Sequence, residues 1–104
     1  MKRYSIIHDL EEHTCIVCGS TRDIHIHEVF FGRTGNRDLS IKYGLCVCLC
    51  AKHHNCSNEG VHLNKTLDNK LKAHAQRIAM QTYGWSIEDF RQIFGKNYIM
   101  DFSE

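Results

Sequence analysis

Apolar and polar residues alternate through Ile24-His25-Ile26-His27-Glu28-Val29-Phe30-Phe31, which predicts a β-strand with every second side chain on one face. A second apolar run, Leu45 to Leu49, predicts another strand and leads straight into Cys50-Ala51-Lys52-His53-His54-Asn55. Between them Gly32-Arg33-Thr34-Gly35-Asn36-Arg37-Asp38 is polar and carries glycine, so a loop is expected there. After a polar stretch from Cys56 to Gly60 the period changes. Leu63, Leu67, Leu71, Ala75 and Ile78 recur at helical spacing, and Gly84 supplies a natural stop. Ser86 has the chemistry of an N-cap, with Asp89 three residues on. Ile87, Phe90, Ile93 and Phe94 make a short apolar helix face closed by Gly95. The first dozen residues have weak apolar spacing and predict a short turn, helix or arm. With no internal repeat or linker, the pattern predicts an α+β fold with residues 1–104 as a single domain.

Length agrees, since 104 residues and 12.1 kDa suffice for one core and not for two. Hydrophobic residues at 42% and charged residues at 24% exclude a disordered or low-complexity chain. No apolar run approaches the ~18 residues of a membrane span. The opening MKRYSIIHDLEEH meets acids too soon for a signal peptide, so a cytoplasmic, reducing location is expected, in a bacterium or a phage-infected cell. A formal net charge of +1 does not decide for or against nucleic acid.

Six cysteines and eight histidines do change the picture. A disulfide scaffold would need an oxidising compartment and would not need the histidines. Moreover Cys46, Cys48 and Cys50 alternate, so on a strand they share a face and cannot easily pair with one another. Metal ligation is the better reading. Cys15-Ile16-Val17-Cys18-Gly19 has the form of a zinc knuckle, in which glycine permits the left-handed backbone that aims both sulfurs at one ion. Cys50 and His53 supply a second pair at matching spacing, and a β-hairpin between the halves would bring the pairs together. Cys15, Cys18, Cys50 and His53 are therefore expected to hold one structural zinc in a treble clef, with Cys56 as an alternative to Cys50 because His53-x2-Cys56 has ligand spacing too. Cys46 and Cys48 read as small buried strand residues. A structural zinc brings about 10–16 kcal/mol of apparent binding energy, against a folding free energy of about 5–15 kcal/mol for a small domain.

With His53 assigned to zinc, its neighbour His54 is expected to point the opposite way, toward the hairpin and His27. One imidazole from the strand and one from the helical segment would then face each other, as in a one-metal phosphodiesterase site. The order Cys-x2-Cys, His27-Glu28-Val29-Phe30-Phe31-Gly32, Gly35-Asn36-Arg37, Tyr43-Gly44-Leu45, Cys50-x2-His53-His54-Asn55 and Gly60-Val61-His62 resembles the HNH (ββα-metal) nucleases, and more narrowly the small HNH-like proteins of phage and prophage recombination regions. The resemblance covers residues 15–64, and more loosely the helical tail, 65–104, as far as Tyr98. It implies a zinc-stapled ββα-metal hairpin that binds one divalent cation such as Mg2+ or Mn2+ and cuts DNA.

Carried onto this chain, the resemblance makes His54 a ligand of that ion and places His27-Glu28 at the family's catalytic pair. Either His27 is the base and Glu28 helps hold the metal, or the roles are exchanged; His27 is preferred as base. The middle asparagine of the family has no counterpart at Leu45, and Asn36 is the nearest candidate. His62 could return to the ion through the freedom of Gly60, or lie exposed near the helix start. His25 shares a face with His27 and is either a neighbour that supports the ion's ligands or a surface residue, the latter preferred; His8, His13 and His74 are read as surface residues. Arg33, Asn36, Arg37 and Lys42, with the lysine-rich helix face, are candidate DNA contacts, and so little basic surface suggests a homodimer or partner. The expected function is metal-dependent DNA endonuclease, the alternative a non-catalytic zinc-binding treble-clef module that grips DNA in recombination.

Overall fold

The computed structural model describes residues 3–32, 35–54 and 60–99. A single 3-10 turn, Leu10–Glu12, is followed by β1 (Ile24–Glu28), α1 (Asn36–Lys42), β2 (Cys46–Cys50), α2 (Ala51–His54), α3 (Lys65–Tyr83) and α4 (Ile87–Phe94). This is an α+β arrangement around one two-stranded antiparallel sheet. The register pairs Ile24 with Cys50, His25 with Leu49, Ile26 with Cys48, His27 with Val47 and Glu28 with Cys46. The pleat therefore puts His25, His27, Val47 and Leu49 on one face and Ile24, Ile26, Glu28, Cys46, Cys48 and Cys50 on the other.

The core joins Val29, Phe30, Leu45, Val47 and Leu49 to Leu71, Ala75 and Ala79 of α3 and to Phe90 and Phe94 of α4. Its centre is aromatic: the Phe30 ring lies 4.7 Å from Phe94, 5.2 Å from Phe90 and 5.3 Å from Tyr98. Gln76, fully buried on α3, accepts from the Tyr98 N–H at 2.8 Å and donates to Asn97 Oδ1 at 2.8 Å, which fixes the segment after α4. Both long helices end at glycines in the left-handed region, Gly84 and Gly95, and α4 begins with a complete capping box between Ser86 and Asp89.

Three expectations are corrected. The polar stretch from Gly32 is not loop throughout, because α1 begins at Asn36. Leu39 and Ile41 turn inward, and the Ser40 hydroxyl accepts from the Phe30 N–H at 3.0 Å and donates to the Phe30 carbonyl at 2.9 Å, tying this helix to the end of β1. Helix α3 starts at Lys65 rather than Leu63. Asn64 is its N-cap, accepting from the Leu67 N–H at 3.0 Å, and Leu63 stands outside the helix, 62% exposed. Lastly, the lysine-rich face of this helix, expected as a DNA contact, does not present Lys72 to solvent. Lys72 is buried, paired with Asp68 at 3.0 Å, and its ammonium sits 4.4 Å from the centre of the Phe31 ring.

The N-terminal arm closes over the sheet. The Ile6 N–H donates to the Gly44 carbonyl at 2.9 Å, and the Tyr4 ring lies so close over Gly44 that any Cβ there would collide with it. His8, read from sequence as a surface residue, is half-buried, and its Nε2 accepts from the Cys48 N–H at 3.0 Å. Burial holds its pKa below the ordinary 6.5 despite the nearby Glu12 and Asp9. As pH falls below about 6.5 the unfolded chain takes up this proton before the folded one, so the stabilisation is complete above that pH and is lost toward acid. Thermal midpoints should accordingly fall from pH 7 to pH 5. His8→Gln, which keeps an acceptor that does not titrate, should fall less steeply; an identical slope would show that His8 contributes nothing. Phe90→Ala empties the centre of the aromatic core and should cost about 3–5 kcal/mol in denaturant unfolding.

Candidate metal centre

The knuckle is built by its own backbone. Gly19 adopts φ 78°, its N–H donates to the Cys15 carbonyl at 2.9 Å, and the Cys15 N–H donates to the Ser20 carbonyl at 2.8 Å. The Ile16 N–H donates to the Cys48 carbonyl at 2.9 Å, docking the knuckle against β2. Cys50 ends β2, and α2 follows without a gap, so one turn of helix later His53 comes back over the same space. The four candidate ligand atoms of Cys15, Cys18, Cys50 and His53 lie within 4.8 Å of one another. Cys18 Sγ to Cys50 Sγ is 3.7 Å, Cys50 Sγ to His53 Nδ1 is 3.3 Å and Cys15 Sγ to His53 Nδ1 is 3.9 Å. Tetrahedral zinc with bonds of about 2.3 Å to sulfur and 2.0 Å to nitrogen requires edges of about 3.5–3.8 Å. The donor set and spacing fit zinc. Burial raises the Cys15 thiol, but backbone N–H groups of Cys50, Cys18 and Val17 and the Cys18 thiol outweigh it, leaving a pKa of about 7 and hence a ready supply of thiolate. Cys56, the alternative ligand, lies outside the described residues. Cys46 and Cys48 are fully buried strand residues apart from this group.

On the opposite side of the hairpin a second group assembles. His27 from β1, His54 from α2 and His62 from the turn before α3 bring one ring nitrogen each to within 4.8 Å of the others. His54 Nε2 and His62 Nε2 are 3.2 Å apart, and the His27 ring centre is 5.2 Å from that of His54 and 5.4 Å from that of His62. Backbone bonds place the third member: the Val61 N–H donates to the His53 carbonyl at 2.9 Å and the His62 N–H to the His54 carbonyl at 3.2 Å. His27 is buried, and its Nε2 has no hydrogen-bond partner among the described residues, an arrangement that costs free energy unless something accepts its lone pair. Burial first, and then the positive charge of His54, His62, Lys72 and Arg37, pushes its pKa down to about 3. Burial and the neighbouring His62 and His25 lower His54 as well. Neutral imidazoles with converging lone pairs are the form that binds a divalent cation.

Glu28 is not part of this group. As the residue after His27 on a strand it faces the other way, where it pairs with Arg3 and, at 3.5 Å, with Arg37 of α1. Its expected place beside the ion is corrected. Asn36 is corrected too: it is buried and donates through Nδ2 to the Phe94 carbonyl at 3.2 Å, so it caps α4 and presents nothing to DNA. Arg37 and Lys42 are exposed on α1, and Arg33 lies outside the described residues. His25, preferred as a surface residue, instead points Nδ1 at His54 Nδ1 across 2.9 Å. Its two-residue spacing from His27 was the available signal, since strand geometry puts both on one face.

No protein-family model, curated protein or solved structure matches this chain. Among the described residues no helix is long and apolar enough to cross a membrane.

Removing the metal from the cysteine group should unfold the chain. Chelation should abolish the cooperative thermal transition, zinc should restore it, and Cys15→Ser should behave like the chelated protein. A Cys15→Ser chain that melts like wild type would refute a structural zinc here.

Proposed function

We propose that this protein is a metal-dependent endonuclease of the HNH type that hydrolyses DNA phosphodiester bonds, with a zinc-held treble clef carrying the site. The observation that carries the reading is the convergence of His27, His54 and His62, one from each of three separate segments, with a buried His27 Nε2 that has no hydrogen-bond partner among the described residues. A purely structural zinc module has no need of a second imidazole group on the far side of its hairpin. A divalent ion held by the three histidines would polarise a phosphoryl oxygen and stabilise the charge that develops as the bond to the leaving oxygen breaks.

A pKa near 3 makes His27 a weak proton acceptor at neutral pH, which favours it as a ligand over the base role expected from sequence. Exposed Arg37 and Lys42 on α1 are the candidate phosphate contacts. They would fix the position of the backbone without reading sequence. A second reading, a non-catalytic zinc module that grips DNA, draws support from Glu28 and Asn36. Each is engaged elsewhere, so neither of these two residues stands beside the three rings.

Supercoiled plasmid distinguishes the two. Purified protein with Mg2+ or Mn2+ should convert it to the relaxed form. His54→Ala and His27→Ala should each reduce the rate by at least about 100-fold, the scale expected for loss of an ion ligand together with its charge stabilisation, while keeping wild-type melting in the presence of zinc. DNA binding without any metal-dependent nicking would establish the module instead.

A further inference from the structure

One imidazole in this protein is addressed at both ends. His54 Nε2 faces His62 Nε2 at 3.2 Å, while its Nδ1 faces His25 Nδ1 at 2.9 Å, with the His25 and His54 rings edge-on at 83°. Two ring nitrogens at 2.9 Å hold a single proton between them, so one donates and the other accepts. If His54 Nε2 is to give its lone pair to an ion, the proton of neutral His54 must sit on Nδ1. His25 Nδ1 is then the acceptor, and the His25 proton is on its own Nε2. His25 is held in place to do this: it pairs with Leu49 in the middle of the sheet, two residues from His27 on the same face. Metal-binding histidines are commonly fixed in tautomer and ring angle by an acceptor at the far nitrogen, a carboxylate or carbonyl in most proteins. The described residues around His54 Nδ1 offer the imidazole of His25 instead.

We propose that His25 is a positioning residue for the three-histidine site: it accepts the Nδ1 proton of His54, locks that ring with Nε2 toward His27 and His62, and does not itself contact the ion. This rests on the metal-binding part of the function proposed above and not on DNA cleavage. The test is a Co2+ titration of the full chain, read optically. Sulfur-to-cobalt charge-transfer bands report the cysteine group, and ligand-field bands that grow without further charge transfer report the histidine group.

His25→Ala should weaken Co2+ binding at the histidine group by about 10–100-fold, the usual cost of losing such a partner, with the charge-transfer bands unchanged. In His25→Asn the amide oxygen replaces Nδ1 as acceptor, and most of the affinity should return. In zinc-loaded wild type, ring-nitrogen chemical shifts should show the His54 proton on Nδ1. Equal affinity in His25→Ala and wild type would overturn the proposal while leaving the metal site standing. So would a changed ligand-field spectrum, which would make His25 a ligand. Uptake of a single Co2+ by wild type, at the cysteine group only, would overturn both this inference and the ion on which the proposed function depends.

Discussion

Two strands of five residues each cannot hold themselves together in water, so β1 and β2 depend on what is fastened to their two faces. One face is closed by the aromatic core beneath α3 and α4, where Val47 and Leu49 are fully buried. The other is covered by the N-terminal arm, where Cys48 Sγ lies 3.6 Å from the Leu10 carbonyl, and the outer edge of β2 is closed by Ile16 on the Cys48 carbonyl and His8 on the Cys48 N–H. A central residue of β2 thus has both backbone groups engaged outside its own hairpin. Because a pleated strand alternates its side chains, the same two faces separate the chemistry: cysteine on one side, histidine on the other.

Helix α2 joins the two. It is a single turn, and its last two residues serve different groups, His53 with the sulfurs and His54 with the imidazoles. The carbonyls of these same residues receive the N–H groups of Val61 and His62. A metal held at His53 would therefore fix the direction of His54 and the seat of His62 through the backbone, with no side-chain contact required between the two groups.

Much of this was legible from residue types with only one stereochemical use. Cysteine pairs at two-residue spacing, glycines after helical runs and the Ser86–Asp89 box are local signals, and local geometry decides them. The histidine group was legible in part, from the adjacency of His53 and His54 and the alternation around His27. What escaped depends on tertiary contact. Asn36 looks like a loop residue until α4 presents the Phe94 carbonyl to be capped. Glu28 looks catalytic beside His27 until the pleat turns it toward Arg3 and Arg37. Nothing in the spacing of His8 announces that it will reach Cys48, because that bond joins residues far apart in the chain.

The single turn of α2 also limits how this chain can vary in length. A helix advances its side chains by about 100° per residue, so one residue gained or lost between Cys50 and His53 would swing His53 off the sulfurs and His54 off the imidazoles in the same stroke. Here a single register serves both centres, and the four-residue span is a ruler that drift in sequence can recolour but cannot stretch.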